Sequence, residues 1–168
     1  MQFKIILLFL LSLSIYSADS KETPVEVFQR LRIRQGEMHF SKIQEYFQNK
    51  KFKAAIEKSL DFLLVYAEHP QTLSCLKYLS ESYKLDDQYE KSIEIDLRIY
   101  RENSTIEEGL ISYLQAGKKY VKMGKKEEAV DIFNFISRQM YSKKLSKDAE
   151  IELEQIKILD MENLVSEK

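Results

Sequence analysis

The chain is poor in the residues that punctuate and cross-link a fold. It holds four Gly, two Pro, one Cys and no Trp in 168 residues. A single cysteine excludes an internal disulfide framework and a thiolate zinc cage. So few Gly and Pro leave little material for many tight hairpins, which favours helices over short strands. A surplus of either charge is also missing, with 26 Lys and Arg against 27 Asp and Glu. Nucleic-acid binding needs excess cations to displace phosphate counterions, so no nucleic-acid partner is expected. What is present is a hydrophobic share of 44%. That excludes a disordered chain and leaves one compact helical domain with a sizeable core.

A long apolar run is lacking as well. Lys4 precedes an unbroken apolar stretch from Ile5 to Leu11, and apolar residues with small serines continue to Ile15. As a helix, Ile5 to Ile15 spans roughly 17 Å, well short of the ~30 Å hydrocarbon core. A secretory signal peptide over residues 1–17 fits better, with Ile15 and Ser17 at the −3 and −1 places of the cleavage site. An uncleaved short anchor and a buried N-terminal helix are the other readings. No Cys lies near the cleavage point, so the chain is not a lipoprotein by sequence. Cys75 stands among Leu73, Leu76 and Leu79 and reads as a buried structural thiol.

The body of the chain repeats. Tyr46, Tyr83 and Tyr120 are 37 residues apart. The same spacing joins Phe52, Tyr89 and Lys126; Ala55, Ser92 and Ala129; Ile56, Ile93 and Val130; and Phe62, Ile99 and Ile136. Each unit reads as two helices. In the second unit Leu76, Leu79 and Tyr83 share one face of a helix that Thr72 is placed to cap. Asp87 with Glu90 then resembles a capping box for the next helix, and Ser104-Thr105 offers a cap in the third unit. Helices joined by such short turns must pack as antiparallel hairpins.

Two helices per unit, with Tyr83 late in a first helix, FKAAIE and QYEKSIE opening second helices, and Gly117, Tyr120, Gly124, Ala129 and Phe133 in the third unit, resemble the tetratricopeptide repeat (TPR). The resemblance covers residues 36–145, three units of 37 residues. The longer unit, with Tyr66 and then Pro70, looks like the form seen in bacterial envelope repeat proteins. The implied fold is all-α: an α-solenoid of three TPR-like hairpins between an N-terminal linker and helix (18–35) and a C-terminal capping helix (146–168). Pro24 suits the first turn of the N-terminal helix, with Val25, Phe28 and Leu31 expected to pack on the first unit. Stacked repeats leave an apolar face open at each end, which is why a cap is expected.

Residues that carry chemistry are sparse. His39 and His69 lack a second metal ligand at helical spacing. Gly117 and Gly124 are not followed by the Lys-Ser/Thr of a phosphate loop, and no serine sits in a nucleophile elbow. Glu107-Glu108 and Glu127-Glu128 lie at helix starts, where the helix dipole favours them. No catalytic residue, metal, cofactor or small-molecule substrate is therefore expected. Arg30, Arg32 and Arg34, and Lys143, Lys144 and Lys147, read as solvated charge. An acidic partner or an anionic headgroup in peripheral envelope association is the other reading.

In a TPR-like stack the first helices line the concave side. The stripe beside their packing face runs Phe40, Gln44, Phe47; Lys77, Glu81, Lys84; and Leu114, Lys118, Val121. These nine residues form the expected groove for another protein or peptide segment. The Lys/Asn carboxylate clamp of chaperone-binding members is absent. The competing reading is that the apolar members of the stripe pack against the terminal helices. The implied role is an exported, periplasmic interaction scaffold or adaptor in an envelope complex. A periplasmic chaperone or accessory subunit is the alternative, and an enzyme subunit the more distant one.

Overall fold

A computed structural model of the chain describes residues 23–166. The signal-peptide segment 1–17 lies outside the described residues. Seven helices follow one another: α1 (Pro24–Gln48), α2 (Phe52–Val65), α3 (Thr72–Leu85), α4 (Tyr89–Glu102), α5 (Glu107–Lys122), α6 (Lys126–Ser137) and α7 (Lys143–Ser166). The described residues divide into two compact units, the first ending at Gln35 and the second beginning at Gly36.

In the first unit the described residues open on a capping box. The Thr23 N–H donates to Glu26 Oε2 at 2.7 Å, and the Glu26 N–H donates to Thr23 Oγ1 at 3.3 Å. Donation to the Glu26 carboxyl from the Thr23 N–H and the Thr23 hydroxyl holds it below its ordinary range. Pro24 follows as the first helical residue, where its missing N–H costs nothing. Val25, Phe28 and Leu31, expected to pack, are exposed. No break separates the expected N-terminal helix from the first repeat helix, because α1 runs on to Gln48.

The second unit holds three TPR-like hairpins and a capping helix. They are the C-terminal half of α1 with α2, α3 with α4, α5 with α6, and then α7. From α2 onward each helix packs on the next, and α7 also meets α5. The first hairpin is closed by ring contacts of Phe47 with Phe52 and Phe40 with Phe62.

The 37-residue period is written in the backbone. Lys50, Asp87 and Gly124 all have positive φ, at 56°, 57° and 73°. Just after each, the N–H of Lys51, Gln88 or Lys125 donates to the carbonyl of Tyr46, Tyr83 or Tyr120 at 2.9, 2.8 and 2.9 Å. Each first helix therefore ends in the same left-handed, six-to-one hydrogen-bonded turn. Only the third repeat fills the left-handed place with glycine, which has no Cβ penalty there.

The expected caps are not the ones that form. Asp87 is the left-handed residue, and the N-cap of α4 is Gln88, which makes no side-chain cap bond. Thr72 is the first residue of α3, and its Oγ1 donates back to the Tyr66 and Ala67 carbonyls. The cap position of α5 is held by Ile106, not by Ser104 or Thr105.

Gly117 is a helix-crossing residue, as its size implies. A Cβ there would lie 2.6 Å from the Phe133 ring. Phe133 belongs to the largest core cluster, with Leu110, Leu114, Ile132, Ile136, Leu145, Ala149 and Ile156. That cluster joins α5, α6 and α7, so the capping helix is built into the core. Among the described residues, no helix is long and apolar enough to cross a membrane.

Candidate partner-binding face

The first helices of the second unit carry the nine stripe residues, and the structure separates them by burial. Phe40 and Leu114 are core residues, 5% and 3% exposed. Phe40 packs on Phe62 and Tyr78, and Leu114 lies in the cluster that includes Leu145 and Ala149 of α7. Both are corrected from groove lining to core, because a neighbouring first helix covers each of them. Val121 is half-buried against the same cluster. Leu114 and Val121 thus pack into the cluster that α7 joins, whereas Phe40 is covered by α2 and α3 and not by a terminal helix.

The remaining residues form a surface. Phe47 is half-buried, edge-on to Tyr78 at 5.1 Å and to Phe52 at 5.8 Å. Gln44 Nε2 donates to the Tyr78 hydroxyl at 3.4 Å. Lys84 pairs with Glu81 at 2.5 Å on α3, and Lys118 of α5 pairs with Glu152 of α7 at 2.9 Å. Lys77 is exposed and has no ion-pair partner among the described residues.

Three residues were missed that one more step of the period locates. Adding 37 to Leu114, Lys118 and Val121 reaches Ile151, Gln155 and Ile158 on α7. All three are exposed, the two isoleucines by 42% and 50%. The same step carries Ala116, Gly117 and Tyr120, which meet their own second helix, to Leu153, Glu154 and Lys157. Helix α7 therefore occupies the place of a fourth first helix. Acid and lysine largely solvate the side where a following helix would pack, while isoleucines remain at the stripe positions. Tyr78 was also missed, since its role depends on the approach of α1 to α3.

A second constellation lies beneath this surface. Ser80 of α3, Ser92 and Asp96 of α4, and Lys119 of α5 form one buried network. Lys119 Nζ donates to Asp96 Oδ2 at 2.6 Å and to Ser80 Oγ at 2.9 Å. Ser80 Oγ donates to Asp96 Oδ1 at 2.5 Å, and Ser92 Oγ donates to the Ser80 carbonyl at 2.6 Å. Burial pushes the Asp96 carboxyl above its ordinary range, against the opposing pull of Lys119 and Ser80. The four residues include the groups of a nucleophile and a base. Each member is at most 4% exposed, so a substrate does not reach it. Its chemistry is that of a buried ion pair, retained only when both charges are hydrogen-bonded.

The other titratable candidates are packing residues. His39 lies edge-on to Tyr66 at 5.4 Å, and His69 is buried edge-on to Phe62 at 5.4 Å. No group of three or more His, Cys, Asp or Glu placed to hold a metal occurs among the described residues. Cys75 is fully buried, its Sγ donating to the Ser59 carbonyl, and burial pushes the thiol up to about 12. Lys143 and Lys147 line a shallow concavity of about 400 Å³ with Arg138 and Glu150 where α6 meets α7.

No protein-family model matches this chain, and no curated protein matches it.

Proposed function

We propose that this chain is an exported binding scaffold of the tetratricopeptide kind, engaging a protein segment on its concave face in a bacterial envelope complex. The observation that carries this reading is the row of equivalent stripes on α1, α3, α5 and α7. They present Phe47 and Tyr78 at one end, charges in the middle and Ile151 with Ile158 at the other. Stacked repeats build extended binding surfaces in this way, without moving parts or a reaction centre. Buried apolar anchors at the ends would supply affinity, and the central charges would set orientation and encounter rate. The action is binding without turnover. The N-terminal Lys4 with its short apolar run supports export.

The test is affinity capture from the native envelope with the wild type and with Phe47→Asp combined with Lys77→Glu. A defined partner lost by the variant, with thermal unfolding within a few degrees of wild type, supports the reading. A partner retained in full by the variant contradicts it.

A further inference from the structure

We infer that the N-terminal half of α1 is a membrane-surface helix: Val25, Phe28 and Leu31 enter the headgroup layer of a bilayer, and Arg30, Arg32 and Arg34 hold its anionic phospholipids. This is a second surface, separate from the concave face, and it stands or falls by its own test.

These turns of helix are surplus to the repeat. The first helix of the second repeat starts at Thr72, and 37 residues earlier lies Gln35. Helix α1 starts at Pro24, so about three turns precede the place where a repeat helix begins. The division between the two compact units falls at the same place, between Gln35 and Gly36. The extension is nevertheless a built helix, opened by the Thr23–Glu26 capping box. Its large apolar side chains stay in solvent: Val25 and Phe28 are each 64% exposed and Leu31 is 51%.

The placing of charge around them says what covers them. At about 100° per residue, Val25, Phe28 and Leu31 share one arc of roughly 120°. Arg32 lies at the Val25 margin of that arc and Arg34 beyond the Leu31 margin, with Arg30 next on the same side. All three arginines are exposed, and Glu26, on the far side with Gln29 and Ile33, is the only acid between residues 24 and 35. Cations at both margins of an apolar arc fit a plane, because each guanidinium reaches outward to a headgroup while the apolar side chains go down. A groove on an acidic protein offers its carboxylates at fixed points, whereas a layer of anionic headgroups offers charge along both margins at once. The arc is short and bordered by charge, so it lies on a bilayer and does not span one. Only residues 16–22 separate its Thr23 cap from the apolar run Ile5 to Ile15, so a chain exported by that run emerges with this helix beside the bilayer.

The test is co-sedimentation of the full chain, as purified from the envelope, with vesicles of phosphatidylcholine alone or with about one-third phosphatidylglycerol. The anionic vesicles are expected to bind at least ~10-fold tighter at low salt, with the preference shrinking as salt rises. Arg30→Glu with Arg34→Glu is expected to abolish that preference. Phe28→Asp with Leu31→Asp is expected to weaken binding to the anionic vesicles at least ~10-fold. All four residues are exposed, so thermal unfolding of each variant should stay within a few degrees of wild type. Equal binding to both kinds of vesicle, binding to neither, or binding that survives either pair of changes overturns the inference. A retained apolar run at residues 5–15 that carried the binding by itself would give the first or the last of these. Sedimentation without vesicles that Phe28→Asp with Leu31→Asp abolishes assigns the surface to a second copy of the chain and overturns the inference as well. Envelope capture bears on the concave face alone, so the two readings fail separately.

Discussion

Where the second repeat meets the third, Asp96 of α4 faces Lys119 of α5 at 2.6 Å. One joint further along, 37 residues on, the same two places hold Phe133 and Ile156, members of one apolar cluster. One joint earlier they hold Ser59 and Ser82, both fully buried. Three joints of one backbone plan are therefore filled by a small polar pair, an ion pair and an apolar pair. The repeat conserves geometry and leaves the contents of each joint free. It also makes the joints non-interchangeable. Placing α5 against α2, where α3 belongs, would bury the Lys119 charge beside Ser59 without the carboxylate that satisfies it.

The largest effect expected from breaking this contrast is at the ionic joint. Asp96→Ala leaves Lys119 buried and unpaired and should cost about 3–5 kcal/mol in urea unfolding. Replacing both partners, Asp96→Leu with Lys119→Met, should be neutral or stabilising by about 1–4 kcal/mol, because two desolvation penalties vanish together. If the double change costs as much as the single one, the pair is more than a costly substitute for an apolar joint.

The third hairpin should answer differently. Gly117→Ala pushes a methyl group into the Phe133 ring and should cost about 1–3 kcal/mol, read from the same unfolding curves. Smaller effects separate the three left-handed turn residues. Lys50→Gly and Asp87→Gly should each gain up to about 1 kcal/mol, and Gly124→Ala should lose a similar amount. Equal and opposite shifts would show that the three turns are energetically as well as geometrically equivalent.

The smallest change concerns Cys75, in the first, uncharged joint. With its thiol pushed up to about 12, the thiolate is scarce at pH 7 to 9. Modification by iodoacetamide in the native state should be far slower than in urea. Prompt native labelling would show that the first joint opens more readily than its packing implies.

The architecture was legible because the period is carried by side chains that also build it. Tyr46, Tyr83 and Tyr120 mark the helix whose carbonyls close each turn. The caps were not legible. Asp87 and Glu90 have the right spacing for a capping box, yet the left-handed turn claims Asp87 first. The face was half legible. Spacing along a helix places Leu114 and Lys118 on one stripe, but burial of Leu114 depends on α7, and only tertiary packing reveals it. Ile151 and Ile158 were within reach of the period extended one step. The buried pair was not, since nothing in the spacing along either helix joins Asp96 to Lys119 until α4 and α5 are brought together.

The concave stripe is the central claim, and proximity tests it most directly. A photo-crosslinking residue at Lys77 should trap one defined partner in the native envelope. The same residue at Lys53, exposed on the second helix α2, should not. Crosslinks from position 53 with none from position 77 would place the partner on the opposite side of the repeats and contradict the assignment.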